Sequence, residues 1–265
     1  MKTLKFYIKI YFMIMSQFIK ARMQFRADFI MSSIGVVFEN IIGVFTLWVL
    51  FKTIPSLEGW GYYELIFVYG YSQLAFIIGH LFFVHIWNLG YHLREGNFIK
   101  YYFRPLDTMF YYMADDFDVK GLNQFILGIV ILVYSSIHLG LKWSPISLGL
   151  LIITLCGAAL IIISLMIIAG SMGFWATDPT ALISFALRLH SFAKYPVTIF
   201  NRFFKFMFTF ILPIGFIAFY PSQIFLRPGA HSNLAFISPF IGIVLFFIAY
   251  MIWNKGVNRY SGTGT

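Results

Sequence analysis

The sequence is poor in charged side chains. Only 11% of its 265 residues are Asp, Glu, Lys or Arg, whereas 60% are hydrophobic and 21% are aromatic. A soluble domain has about 25% charged residues, and the few charges present here cannot cover a folded surface with polar groups. The composition therefore excludes an ordinary soluble enzyme, and its hydrophobicity excludes a disordered chain. It predicts a protein that lies in a lipid bilayer.

Cysteine and the common catalytic motifs are also scarce. Cys156, the single cysteine, lies in an apolar run, so there is no disulfide framework and no indication of redox compartment. The sequence has no G-x-x-x-x-G-K-[ST], no H-E-x-x-H and no G-x-S-x-G. Its six histidines are scattered and show no metal-ligand spacing. We therefore predict that this chain is not an enzyme and binds no metal or cofactor.

Six apolar runs are each long enough to be considered as membrane crossings. A helix needs about 20 residues to cross the ~30 Å of hydrocarbon. The runs cover residues 29–51, 62–87, 125–141, 146–174, 206–226 and 234–253. No internal repeat and no low-complexity linker divides the chain. We predict an all-α polytopic membrane protein: one transmembrane domain over residues 1–265 with six transmembrane helices.

Lysine and arginine gather in alternate connections between these runs. Residues 1–26, 88–120, 174–205 and the tail hold six, four, four and two of them, and the other connections hold the remaining three. By the positive-inside rule, this alternation places both termini in the cytoplasm. The net charge of +9 is explained in the same way, so we expect no nucleic-acid partner.

Residues 1–26 predict an amphipathic helix in the cytoplasmic interface of the membrane. On a helical wheel, Lys5, Lys9, Gln17 and Lys20 share one face, and apolar side chains cover much of the rest. Lysines on such a face reach the anionic headgroups of the lipid bilayer. A short seventh crossing is the alternative, which three lysines within the first nine residues disfavour.

Glu39 is the strongest single candidate for a functional residue. It lies near the middle of the first apolar run, and Asn40 follows it. A carboxylate at the bilayer centre costs about 2.5–3.5 kcal/mol, so it has to face protein or a water-filled cavity. Glu39 and Asn40 either line a translocation route or fix a contact with a neighbouring helix or subunit.

The second apolar run carries a polar pair, Gln73 and His80. These residues are seven apart and therefore share one face of a helix. We expect that face to point into protein, where it serves either packing or contact with a transported substrate. Gln73 and His80 complete our set of candidates for a translocation route.

The connection over residues 88–120 is too long for a simple turn. Aromatic and basic residues alternate between Gly96 and Asp107, and Pro105 ends any helix that precedes it. This pattern suits docking onto the membrane surface or onto a soluble partner.

Three stretches carry a family resemblance. They are Leu93-Arg-Glu-Gly96 through Arg104-Pro105-Leu106, then Phe174-Trp175 with Asp178, Tyr195-Pro196 and Ile211-Leu-Pro213, and the tail from Trp253 through Arg259-Tyr-Ser-Gly-Thr-Gly264. With the predicted layout of an amphipathic helix, six crossings and a long loop after the second crossing, they resemble the permease subunit of an ABC-2 type ABC exporter. Together the stretches cover much of the chain.

The resemblance implies the membrane subunit of an ATP-driven exporter in the inner membrane of a bacterium. Its substrate would be hydrophobic or amphipathic: a drug, a lipid or a peptide. The implied partners are two copies of a separate ATPase subunit, which would bind Mg-ATP, and a second permease that is identical or a paralogue. Part of the 88–120 loop would be the coupling helix seated in the ATPase. The coupling residues that we expect there are Gly96, Tyr101, Arg104, Pro105 and Asp107.

The resemblance also leaves the fifth crossing open. In related permeases a stretch such as 195–226 dips back into the outer membrane face as a re-entrant segment. The more polar stretch 178–196 would then be the fifth crossing, in place of the apolar run at 206–226. Both arrangements leave the C-terminus inside.

Two other functions compete with the exporter. A stand-alone ion-coupled transporter or channel would need several intramembrane charges, and only Glu39 qualifies clearly. An integral enzyme acting on lipids would have to rest on acids such as Asp115, Asp116 and Asp118, which we interpret as a solvated helix start or loop.

Overall fold

The computed structural model describes residues 4–22, 26–118, 121–176, 178–229 and 233–260. Within these ranges the chain folds into helices joined by short connections, and there is no β-strand. The predicted all-α polytopic membrane fold is confirmed.

The helices are named in chain order. They are α1 (Leu4–Arg22), α2 (Arg26–Thr53), α3 (Tyr62–Phe83), α4 (Leu89–Arg94), α5 (Ile99–Tyr102), α6 (Thr108–Ala114), α7 (Gly121–His138), α8 (Pro145–Ser171), α9 (Thr180–His190), α10 (Arg202–Phe206), α11 (Phe219–Leu226) and α12 (Ser238–Arg259). Short 3₁₀ turns extend several of them, and α10 continues into a π-helical turn at Met207–Ile211.

Five helical segments of the described chain are long and apolar enough to cross a membrane. They are Ile30–Thr53, Tyr62–Arg94, Gly121–His138, Pro145–Phe174 and Asn233–Arg259. They match the first, second, third, fourth and sixth apolar runs of the sequence.

The fifth apolar run does not form one straight helix. Its two arms, Arg202–Ile211 and Ile214–Leu226, are bent by 69°. Pro213 lies in the break, where its fixed backbone and missing N–H disfavour a continuous helix. The hydroxyls of Thr209 and Tyr220 lie 2.9 Å apart and join the arms. We call residues 202–226 the bent hairpin.

The bundle has two distinguishable ends. We call the end that carries α4, α5 and α6 the loop end, and the other the opposite end. At the opposite end, Arg227, which follows the bent hairpin, binds Glu64 at the start of α3 (3.1 Å) and the carbonyl of Gly59 (3.0 Å). The bent hairpin is thereby fixed to the opposite end.

α9 runs from the loop end into the bundle. Its start is fixed by an ion pair between Asp178 and Arg94 of α4 (2.7 Å). Its last residue, His190, stacks on Phe76 in the middle of α3, with ring centroids 4.6 Å apart. The stretch after Asp178 therefore lies beside a membrane-crossing helix.

α3 is the central helix, whereas α2 is peripheral. α3 packs between α7 and α8, and α12 packs along α8. We compared the most apolar 18 residues of each span. In the span Tyr62–Arg94, which contains α3, 72% of them are buried, whereas in the span Ile30–Thr53 of α2 only 11% are. Most of the α2 surface is therefore open to lipid or to another subunit.

α1 packs across the loop end. Tyr7 makes an edge-to-face contact with Phe110 of α6, and Phe18 packs on a small cluster that includes Leu81. Lys5 and Lys20 are exposed. This amphipathic arrangement fits an interface helix, and the cytoplasmic interface assigned to residues 1–26 stays a prediction.

Candidate functional site: a folded loop and a polar cluster between crossings

The long connection after the second crossing is folded rather than extended. We call residues 88–118 the loop module. α4, α5 and α6 pack onto α8, α9 and α12 and share one hydrophobic core with them. The buried apolar side chains that the module contributes to this core are Leu89, Leu93, Phe98, Tyr101, Met109, Tyr112 and Met113.

Phe98 joins the module to the last helix. Its ring is fully buried and makes edge-to-face contacts with Phe174, Trp253 and Tyr260, at centroid distances of 5.2, 6.0 and 5.1 Å. Trp253 is fully buried as well. Such aromatic pairs contribute about 0.5–1.5 kcal/mol each beyond the burial of their area. The loop module and α12 are therefore packed as one unit.

Asp107 adds a polar link to the same helix. Its Oδ1 accepts the backbone N–H of Phe110 (2.8 Å), which makes Asp107 the N-cap of α6. Its Oδ2 accepts the hydroxyl of Tyr250 on α12 (2.8 Å). One predicted coupling residue thus holds both a module helix and the last crossing.

Gly96 makes the turn between α4 and α5. Its φ of +69° lies in the left-handed region, which glycine adopts without the Cβ clash of other residues. Its carbonyl lies 3.5 Å from the Tyr260 hydroxyl. We therefore expect its role to be in the shape of the module.

Arg104 and Pro105 lie at the exposed tip of the module, with Tyr102 and Phe103. Phe103 is 75% exposed, and Tyr102 is 46% exposed. The Arg104 guanidinium lies 5.9 Å from the centre of the Tyr111 ring. We call residues 102–105 the tip. It presents an apolar and basic surface away from the bundle.

Tyr101 is buried inside the module. Its hydroxyl donates a short hydrogen bond to Asp115 and lies 3.1 Å from Nε2 of His85. Burial, followed by the bond to Asp115, raises the pKa of Tyr101, so the phenol stays protonated and acts as the donor. The structure thus places Tyr101 behind the tip, where it supports the module.

The acids at the end of the module are paired. Asp115 binds Lys100 (3.1 Å), Asp116 lies 3.5 Å from His85, and Asp118 lies 3.1 Å from His80. This differs from the solvated helix start that we expected. The partners come from α3, from the 3₁₀ turn Val84–Asn88 after it and from α5, up to 38 residues away, so local sequence gave no signal for them.

A polar cluster joins α2 to α3 inside the apolar region. Gln73 donates to Asn40 Oδ1 (3.1 Å) and to the Tyr69 hydroxyl (3.2 Å), and Tyr69 donates to the same Asn40 oxygen (3.4 Å). Gly43 makes room for the Tyr69 hydroxyl, which would lie 2.3 Å from an added Cβ. Two of the four candidates for a translocation route are thus in direct contact.

Glu39 and His80 lie elsewhere. Glu39 is exposed on the surface of α2, one residue from the buried Asn40. His80 binds Asp118 near the loop end and stacks on Phe76. The structure therefore does not bring all four candidates into one site.

An apolar groove opens on another face of the bundle. Its volume is about 690 Å³, and it lies between α3, α7 and α8. Leu74, Phe125 and Leu155 line it, and the free Cys156 is at its exposed edge. None of the four route candidates lines this groove.

Metal-ligating side chains do not cluster in the part of the chain that is described. No group of three His, Cys, Asp or Glu side chains there is arranged to hold an ion. The chemistry available to the loop module is therefore hydrogen bonding and ion pairing.

The family follows from the sequence taken as a whole. The family model described as ABC-2 family transporter protein matches residues 37–264, which is most of the chain. The chain belongs to the ABC-2 family of transporter proteins. The resemblance inferred from the three stretches is thereby confirmed. No curated protein and no solved structure gives a significant match.

Membership sets the general role of the ABC-2 chain. It is a multi-pass membrane permease of an ABC transporter, of a family that associates with an ABC ATPase and is typically not itself catalytic. The loop module and the Asn40 cluster are therefore features of a permease.

Proposed function

We propose that this chain is the membrane subunit of an ATP-driven exporter and that the tip of its loop module is seated in a separate ATPase chain. The observation that carries the proposal is the tip itself. Tyr102, Phe103, Arg104 and Pro105 are exposed, whereas Tyr101 before them is buried and Asp107 after them is bonded to Tyr250 of α12. Exposed aromatic and arginine side chains on a well-packed support are typical of the residues that dominate binding at protein interfaces.

The charge distribution supports a cytoplasmic loop end. Residues 1–26, the 88–120 loop and the tail hold six, four and two basic residues, and they lie at or lead to that end. By the positive-inside rule, this end faces the cytoplasm of the bacterial cell, with both termini inside. The ATPase copies, which bind Mg-ATP, would be reached from there.

Exposed Glu39 supports pairing of two permeases through α2. A carboxylate near the middle of a crossing is costly in lipid, and α2 buries little of its surface in the single chain. A second permease, identical or paralogous, would cover this face and leave Glu39 beside the route between the two subunits. Asn40 and Gln73 would then hold the helix that carries it.

The contacts of α9 support a re-entrant bent hairpin. α9 starts at the loop end and reaches the middle of α3, so residues 178–196 would serve as the fifth crossing. Residues 202–226 would then dip into the outer face and return, which fits the attachment of Arg227 at the opposite end. In this arrangement the basic residues of 174–205 no longer count toward the cytoplasmic side, and the sidedness rests on residues 1–26, the 88–120 loop and the tail.

The apolar groove supports a hydrophobic or amphipathic substrate. Its lining is formed almost wholly by aliphatic and aromatic side chains, and its three helices are membrane crossings. A substrate dissolved in the bilayer could enter it sideways without losing an aqueous shell. The proposed substrate is therefore a hydrophobic or amphipathic drug, lipid or peptide.

Co-purification tests the proposal. Tagged chain extracted in mild detergent should bring down an ABC ATPase. Phe103→Asp and Arg104→Glu should each reduce its recovery by about tenfold, because they disrupt the exposed tip. Lys142→Glu is the matched control, since Lys142 is an exposed cation at the opposite end. Normal ATPase recovery and normal transport with Arg104→Glu would refute the docking role.

Labelling in intact cells tests the sidedness separately. In a Cys156→Ser background, Phe103→Cys should react with a membrane-impermeant maleimide only after the cells are opened. Lys142→Cys should react in intact cells. Labelling of position 103 from outside would overturn the orientation and, with it, the coupling scheme.

A further inference from the structure

We propose that α12 is the element that carries movement of the loop module to the bent hairpin at the opposite end. The inference rests on the proposed function, because that function supplies the movement. Its basis is a pair of side-chain hydrogen bonds made by α12: Ser238, its first residue, bonds Phe216, and Tyr250, just past its middle, bonds Asp107.

The hydrogen bond between Tyr250 and Asp107, toward the loop end, is close to the tip. Asp107 is two residues after Pro105, and both of its carboxylate oxygens are engaged, one by Phe110 and one by Tyr250. Only Leu106, which is half-buried, separates Asp107 from the tip. The Phe98–Trp253 contact holds the same part of α12 against the module.

The part of α12 between these two hydrogen bonds is rigid. Ser238 and Tyr250 are twelve residues apart, about 18 Å along a helix. α12 is backed by α8 at a close backbone contact, where a Cβ on Gly242 would lie 2.4 Å from the Gly157 carbonyl oxygen. Because the two helices touch backbone to backbone, we expect them to move together.

The hydrogen bond at the opposite end holds the start of the second arm of the bent hairpin. Ser238 is the first residue of α12, yet its hydroxyl does not cap its own helix. It donates instead to the carbonyl of Phe216 (2.8 Å), in the 3₁₀ turn Ile214–Phe216 with which the second arm begins, and it is fully buried. A broken helix in a membrane needs such partners for its freed carbonyls. Here α12 supplies one.

The bent hairpin is suited to change shape. A π-helical turn at Met207–Ile211 precedes the break, and π-turns are frequent at functional sites. The Thr209–Tyr220 hydroxyl contact and packing hold the two arms together. Moving the Phe216 carbonyl would therefore change the angle between the arms.

The test follows the bent hairpin with a fluorophore in the complete complex. Phe210, on the first arm, is 68% exposed. The chain with Cys156→Ser and Phe210→Cys is labelled with bimane and reconstituted with its ATPase in nanodiscs. ATP with vanadate should change the bimane emission. Tyr250→Phe and Ser238→Ala should each reduce that change by about threefold or more, with ATPase binding unaltered.

Controls separate transmission from simple loss of a bond. Tyr91→Phe removes an exposed hydroxyl from the loop module, and Ser135→Ala removes a bond within α7; both should leave the response unchanged. Ser238→Thr keeps the hydroxyl and should retain the response. If both hydrogen bonds act in one chain of transmission, the variant with both Tyr250→Phe and Ser238→Ala should lose no more of the bimane response than the more affected single variant. Independent structural defects would instead add up.

The outcomes distinguish the two proposals. If no ATPase co-purifies with the parent chain, the proposed function fails, and this inference fails with it. Two results would overturn only the transmission through α12, provided that the complex binds and hydrolyses ATP. Either the label does not respond in the parent chain, or it responds as strongly in Tyr250→Phe and Ser238→Ala as in the parent.

Discussion

Gln73 on α3 donates a 3.1 Å hydrogen bond to the side-chain oxygen of Asn40 on α2. The same oxygen also faces the Tyr69 hydroxyl, and the Asn40 amide donates to the Val36 carbonyl of its own helix (2.9 Å). Both the oxygen and the amide nitrogen of the Asn40 side chain are thus engaged. Since α2 has few buried contacts, this cluster is a main attachment of the first crossing.

Gln73→Leu should loosen that attachment. Hydrogen bonds between membrane helices contribute about 0.6 kcal/mol on average and up to about 1.7 kcal/mol, and we expect a loss in this range. The measurement is thermal unfolding of the purified chain in detergent. Gln124→Leu, a half-buried glutamine of α7, is the control for replacing an amide by an apolar group. Equal melting of the two variants would contradict a structural role for the cluster.

The contact between α8 and α12 gives a second prediction. A Cβ on Gly157 would lie 2.4 Å from the Cα of Pro239, which leaves no room for a side chain. Gly157→Ala should therefore force the helices apart and destabilise the chain by about 1–3 kcal/mol. Thermal unfolding measures the loss.

Gly149→Ala is the matched control for this change. Gly149 is on the same helix, and a Cβ there would meet nothing within 4 Å. The substitution should be neutral or stabilise by up to ~1 kcal/mol, because alanine favours a helix over glycine. If Gly157→Ala is as well tolerated as Gly149→Ala, the close approach of α8 and α12 is wrong.

The sequence was sufficient for the crossings because their signal is local. Each needs about 20 apolar residues in a row, and the run at 146–174 became the helix Pro145–Ser171 almost unchanged. The run at 206–226 is also apolar, but it contains Pro213, which disfavours a continuous helix. The position of its second arm depends on the bond from Ser238 to the Phe216 carbonyl, and Ser238 has no local relation to the run.

The loop module was predictable as a region but not as a structure. Alternating aromatic and basic residues marked 88–120, and Arg104 and Pro105 do lie at its exposed tip. The burial of Tyr101 and the link from Asp107 to Tyr250 could not be read from spacing, since Tyr250 is 143 residues from Asp107. Such pairs are determined by how the helices pack.

Asp178 gives a prediction for pH dependence. Hydrogen bonds from Thr180, followed by the Arg94 guanidinium, hold the pKa of this carboxyl below its usual range. A carboxyl with a lowered folded-state pKa adds stability above its unfolded pKa of about 3.9, and that stability is lost as the pH falls through the folded value. The effect should be small, because the group is exposed.

The measurement compares melting of the wild type and Asp178→Asn between pH 7 and pH 3. The wild type should be the more stable at pH 7, and the difference should shrink below about pH 4. Glu95→Gln, which changes an exposed acid of the loop module, should show no such trend. A difference between wild type and Asp178→Asn that is constant with pH would contradict the ionised pairing.

The exposed face of α2 gives the last prediction. Phe38 and Ile42 flank Glu39 on this helix and are 60% and 62% exposed in the single chain. If a second permease covers that face, Phe38→Cys or Ile42→Cys in a Cys156→Ser background should form a disulfide-linked dimer under mild oxidation in membranes. Val130→Cys, on the exposed side of α7, should not. With a paralogous partner, the same cysteines should link to that chain. Cross-linking at Val130 but not at Phe38 or Ile42 would place the interface on α7 and leave the exposure of Glu39 without a covering subunit.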